Sequence, residues 1–359
     1  MVPGHSDDLD LAFHIWLSAV LSVPLLSARL ATGFLVALAG LSLVASGAAE
    51  FPGKRGRIAF MERDLTGHWQ VWTASADLGS KRQLTNSGAD SGWPVWSPDG
   101  SRIAFDSNRT DPNPNDHHQI NDIYLMSADG SGVRKLTDSK GASADAAFSS
   151  DGRLIAFDTD RGHPRRDDGV YVMNANDGSD LRRITTLPSY AEFDAAPRFS
   201  PDGTRMAFTR YRVVHGAELS ALMIVNGDGQ NLKRLTTWSL RVGDADWSPD
   251  GRRLTFETNY AERGNHPADI YVIDATGSHL TDLTKNRGAT GSGARHRLEF
   301  SSDPVWSPDA TAILFLDGVV THRGERAGLA TIRPNGRNRK FILHNPSEEM
   351  HQPDWQSLH

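Results

Sequence analysis

Cysteine is absent from all 359 residues, which excludes disulfides, thiol catalysis, Cys-ligated zinc, iron–sulfur clusters and lipid attachment through a cysteine, while leaving the compartment open. A sustained Lys/Arg block is missing too. The 38 basic and 44 acidic side chains leave a formal net charge of −6. A chain without a basic face cannot replace the counterions around phosphates, so nucleic acid is not an expected partner. The HExxH zinc pair and the GxSxG nucleophile elbow are both absent, which removes two common hydrolase signatures. What is present in quantity is turn chemistry: 33 glycines and 18 prolines sit between strand-like runs, the pattern of an all-β protein with many short strands.

The first fifty residues are separate in kind. Residues 11–28 and 30–49 are apolar stretches split by Arg29, and the second ends in small residues at Ala48 and Ala49, as a signal-peptidase site requires. Residues 1–49 are therefore expected to be an export signal. The alternatives are an uncleaved membrane anchor, since each stretch approaches spanning length, or a cytoplasmic protein, since Lys54, Arg55 and Arg57 follow as a cytoplasmic flank would.

From residue 50 to 359 the chain repeats a unit of about fifty residues. Its marker is WSPDG at 96–100 and 247–251, FSSDG at 148–152, FSPDG at 199–203 and WSPDA at 306–310. Proline presets φ, aspartate bonds back to the backbone and glycine takes the left-handed position, so each marker is a tight turn between two strands. The second strands follow at 57–60, 102–105, 154–157, 205–208, 253–256 and 312–315. Six second strands have only five preceding turns. The missing first strand lies at the other terminus, where Pro353-Asp354-Trp355 repeats the approach seen at Ala245-Asp246-Trp247. The pattern predicts an all-β fold, a six-bladed β-propeller of four-stranded antiparallel blades, closed by the C-terminal strand and preceded by the apolar leader.

At these residues the chain resembles the TolB-type propeller family: WSPDG-x-x-I-A-F, then D-I-Y-x-M-x-A-D-G-S, then a basic x-L-T strand, over roughly 55–357. The resemblance implies an envelope protein that serves as a docking surface. TolB also has an α/β domain before its propeller, whereas only the apolar leader and a few residues precede Arg57 here. The repeat is also similar to the propellers of prolyl-oligopeptidase-type peptidases, without their GxSxG elbow.

The aromatics Trp96, Phe148, Phe199, Trp247, Trp306 and Trp355 share one position and are expected to pack between blades. Basic pairs on the outer strands are expected to protect exposed edges. A site is expected on the face that holds the second-to-third loops and the blade-to-blade connections. That face collects His68, His117, His118, His163, His215, His266, His296, His322, His344 and His351. Asp90, Asp145, Asp194, Asp244 and Asp303 precede the inner strands and are expected to approach the central channel, where with His351 they are the candidate partner-binding residues. No catalytic pair, cofactor or metal site is assigned. The expected function is a monomeric, non-catalytic, exported scaffold for an envelope protein or glycan, touching the membrane only through its N-terminus. The alternatives are a metal-assisted carbohydrate lyase or hydrolase at the channel mouth, and a membrane-anchored sensor.

Overall fold

In the computed structural model, residues 54–358 are described, apart from 78, 112–120, 139–140, 162–166, 190–191, 259–267, 287, 289–296, 322–323 and 343–349. The leader lies outside the described residues, within which no helix is long and apolar enough to cross a membrane. Among the described residues, twenty-four strands form six four-stranded antiparallel sheets, each a meander from an inner to an outer strand. The last strand, Met350–Leu358, is the inner strand of the first blade and pairs with Lys54–Arg63, placing Ile58 opposite Trp355. Blade 1 thus joins both ends of the propeller, and blades 2 to 6 follow in chain order.

Each marker turn works as its residues dictate. In the first, the Gly100 N–H donates to Ser97 O at 2.8 Å, and the Asp99 carboxylate accepts from the Ser97 and Ser101 hydroxyls at 2.6 and 2.8 Å. Gly100 adopts φ +65°, a conformation that glycine enters without a Cβ penalty. The Ser149 hydroxyl likewise holds the Asp151 carboxyl below its ordinary range.

The repeated aromatics are core. Trp96, Phe148, Phe199, Trp247, Trp306 and Trp355 are all buried, and the clusters that contain them draw side chains from two adjacent blades. An arginine opening the second strand seals several of these seams. Arg102, Arg205 and Arg253 lie over Phe148, Trp247 and Trp306 of the following blade at 5.4, 4.8 and 4.9 Å. Arg102 and Arg205 also donate to the turn carbonyls of Gly152 and Gly251, at 3.0 and 3.1 Å.

The outer strands have only two residues each, at Arg82–Gln83, Arg134–Lys135, Arg182–Arg183, Lys233–Arg234, Thr281–Asp282 and Lys340–Phe341. Their charges do more than guard an edge. Arg82, Arg182 and Lys233 reach the turn carbonyls of Asp129, Gly227 and Thr276 in the next blade, at 3.0, 3.1 and 2.7 Å. The basic residues of the repeat are therefore also staples between blades.

Candidate functional site: the acidic channel

Every inner strand contains a bulge, and the bulge builds the channel wall. Two residues of the inner strand oppose one of its neighbour in all six blades, at Trp93-Pro94, Asp145-Ala146, Ala196-Pro197, Gly243-Asp244, Asp303-Pro304 and Gln352-Pro353. A bulge leaves its extra residue unpaired and re-aims side chains, and proline is tolerated there because it has no N–H to lose. Trp93, Asp145, Ala196, Asp303 and Gln352 take φ between +46° and +55°. Non-glycine residues enter that region only under constraint from their surroundings.

The channel wall combines the bulge residues with their successors. Asp145, Asp244, Asp246, Asp303 and Asp354 line it, against the single cation Arg198. Asp246 and Asp354 accept the backbone N–H of Trp306 and Trp96 in the next blade, both at 2.7 Å. A second tier of acids lies behind them on the second strands. Asp106 accepts the Asp145 N–H at 3.1 Å, Asp158 accepts the Ala196 N–H at 3.3 Å, and Glu257 accepts the Asp303 N–H.

Burial governs the protonation of this cluster. Loss of hydration pushes the Asp244 carboxyl up to about 7, and nearby Asp145 adds to the rise while Arg198 opposes it. Burial likewise raises Asp246 to about 7 and Asp354 to about 6. Asp106, Asp158 and Glu257 stand well above the ordinary carboxylate range, first from desolvation and then from neighbouring acids. The channel therefore holds shared protons near neutral pH, and Arg198 is its internal counter-charge.

The expected site residues separate into two groups. Asp145, Asp244 and Asp303 line the channel together. His351 adjoins them without lining the channel, with Nδ1 3.7 Å from Asp303 Oδ2 and its ring edge-on to Trp69 at 5.4 Å. Gln352 ties the group together, donating to Asp303 Oδ1 at 2.8 Å and also to Asp244.

Asp90 and Asp194 do not approach the channel. Asp90 accepts the Trp69 N–H at 2.9 Å and lies 3.4 Å from His68 Nδ1. Asp194 stands two residues before its bulge, where Arg210 grips it through Nε at 2.6 Å and Nη2 at 2.7 Å. Both side chains of that pair are buried, so removing one partner strands the other charge. Asp194→Ala is expected to cost about 2–3 kcal/mol, below the usual figure for a broken buried pair because Glu192 remains near Arg210. Urea denaturation measures it, and Arg210→Met added to Asp194→Leu should recover most of the loss.

Of the histidine-rich rim, His68, His215 and His351 are described; His117, His118, His163, His266, His296, His322 and His344 lie outside the described residues. His215 is exposed at the tip of the long blade 4 hairpin. Among the described residues no three His, Asp or Glu side chains are grouped to hold a metal ion.

Sequence reasoning passed over Trp93, Arg198, Gln352, Asp246, Asp354 and the second tier. One signal was available. The recurrent Pro before the inner-strand aromatic, in Trp-Pro-Val-Trp, Ala-Pro-Arg-Phe, Asp-Pro-Val-Trp and Gln-Pro-Asp-Trp, marks a bulge inside what otherwise reads as a strand.

No family model matches the chain. It is 28% identical over 206 residues to the uncharacterized peptidase YuxL of Bacillus subtilis, covering 56% of this chain and 27% of that protein. It is 31% identical over 147 residues to a TolB homolog of Chlorobium luteolum, covering 41% of this chain and 30% of that one. The matched segments thus span under a third of either relative. In structure it is similar to TolB from Acinetobacter baumannii, with a TM-score of 0.60 and 20% identity over 85% of this chain and 68% of that one. An oligogalacturonate lyase in complex with manganese shares the fold, with a TM-score of 0.52 and 13% identity over 83% and 75%.

Proposed function

The chain is a TolB-like six-bladed propeller, and from that premise we propose that it is a non-catalytic scaffold of the cell envelope that docks a protein partner at the acidic mouth of its channel. The observation that carries this reading is the convergence of Asp244, Asp303 and Gln352 on one channel, with His351 beside Asp303, in a ring stapled at its seams. A rigid scaffold that presents polar groups on loops and bulges is suited to recognition. TolB relatives support a role in the envelope, and export would follow if residues 1–49 act as the signal or anchor expected of them. Docking of a glycan is a narrower form of the same proposal.

The test is capture by crosslinking from envelope extract with the full chain, beside a variant carrying His351→Ala, Asp303→Asn and Asp244→Asn. One defined partner should be recovered with the unmodified chain and reduced at least tenfold with the variant, while both keep the same β-rich circular dichroism. Recovery of no partner sinks the scaffold reading. Equal recovery with both moves the interface away from the channel mouth.

The enzyme alternative draws on Glu257, a half-buried acid held well above the ordinary range mainly by desolvation, directly behind Asp303. Such a group is suited to proton transfer. Turnover of an acidic oligosaccharide by the unmodified chain, lost in Glu257→Gln, would favour that reading over the scaffold.

A further inference from the structure

The channel wall sets five carboxyls against one guanidinium, that of Arg198. Four of the five wall carboxylates have donors: Asp246 and Asp354 hold backbone N–H groups, and Asp303 and Asp244 share Gln352. Asp145 differs. It is 2% exposed and lines the channel, and no donor meets either carboxyl oxygen at full hydrogen-bond geometry; burial raises its pKa, and Arg198, the Asp158 carboxyl and the Ala196 N–H ease it only from longer range. Its own backbone N–H is spent on Asp106, and its near neighbours behind the wall are the carboxyls of Asp106 and Asp158. A buried carboxyl whose donors stay at longer range recovers little of its lost hydration, so it is a place where an incoming donor gains most.

Trp93 shares that wall. Its φ of +46° is rare for a bulky aromatic, and its Nε1–H is buried with no acceptor. A constrained indole beside a weakly compensated acid offers a face for a cation.

The arrangement of the acids decides which cation. A point ion needs several oxygens around one centre, and the described acids are not grouped in that way. A planar guanidinium spreads five donors over a fork and stacks on aromatic faces, so it suits carboxylates dispersed around a ring. Arg198 shows the chemistry in place: its guanidinium eases the charge of Asp106, Asp145, Asp244, Asp246 and Asp354. We propose that the channel is a binding site for a second guanidinium, an arginine side chain presented by the partner, which donates to Asp145 and lies against Trp93. This rests on the docking reading and names what the partner must bring.

The probe is argininamide, with citrullinamide and lysinamide as its neutral and ammonium counterparts. The full chain labelled with 5-fluorotryptophan reports on Trp93, whose 19F signal is identified by its loss in Trp93→Phe. Argininamide should shift that signal saturably, at least tenfold more tightly than either counterpart, and Asp145→Asn should abolish the shift while the other tryptophan signals stay in place. No saturable shift, or equal binding of citrullinamide or lysinamide, overturns the proposal. If Asp145→Asn fails to fold, the comparison of the three amides with the unmodified chain decides alone. Partner capture that persists while argininamide leaves Trp93 unmoved would sink the guanidinium site and leave docking standing; argininamide binding without a partner would do the reverse.

Discussion

Between pH 5 and pH 8 the propeller is expected to lose about 3–5 kcal/mol of stability, a fall where many proteins level off. The sign follows from the channel acids. Asp244 and Asp246 titrate at about 7 and Asp354 at about 6 in the fold, all raised above the unfolded value chiefly by burial. Across that window the native state binds more protons than the unfolded chain, so stability decreases as pH rises from the unfolded carboxylate value toward 7, then flattens. One isolated shift of three units corresponds to about 4 kcal/mol; because the acids interact, their shifts do not add, which keeps the total near that figure. The turn aspartates oppose this at the acid end. Asp151, held low by Ser149, contributes stability that is lost below about pH 4, so the optimum should lie near pH 4. Urea midpoints at pH 5 and pH 8 measure the slope. Asp246→Asn keeps an acceptor for the Trp306 N–H, removes one titrating group and should flatten the curve. Stability that is constant or rises from pH 5 to pH 8 would show that the channel acids are ionised without penalty.

Trp247→Ala is expected to cost about 3–5 kcal/mol, the range for deleting a large buried aromatic. Trp247 is wholly buried, with Leu222, Ile224 and Ala207 of blade 4 on one side and Leu254, Phe256 and Ile273 of its own blade on the other. Its indole N–H donates to Arg198 O at 3.1 Å, and Arg205 covers its ring. Truncation therefore opens a seam cavity, uncovers Arg205 and frees the carbonyl of Arg198, the one cation among the described residues that line the channel. Trp247→Phe should cost less, since it retains most of the packing and loses mainly the hydrogen bond. Chemical denaturation of the three proteins is the measurement. A loss below about 1 kcal/mol for the alanine variant would mean that the blades do not depend on this seam.

The architecture was legible because its causes are local and repeated. Serine, aspartate and glycine at fixed offsets determine the turns, a short continuous apolar run marks each second strand, and six such strands against five turns require Trp355 to close the ring. The channel was legible only in part. Asp145, Asp244 and Asp303 stand within the bulges, three residues before the inner-strand aromatic, whereas Asp194 stands five and Asp90 six residues before theirs, so aspartates that all precede an inner strand end in different places. A bulge alters the register by one residue, and in a strand one residue decides which face a side chain meets.

The sequence by itself determined the blade count, the closure and the buried aromatic at each seam, since these depend on residue type at a fixed spacing. The tertiary structure decided the channel. Trp93, Arg198, Asp246 and Asp354 are distant in the chain and unremarkable in their own repeats. They meet because six bulges point inward around one axis, and burial there, more than residue identity, sets the charge that the site presents.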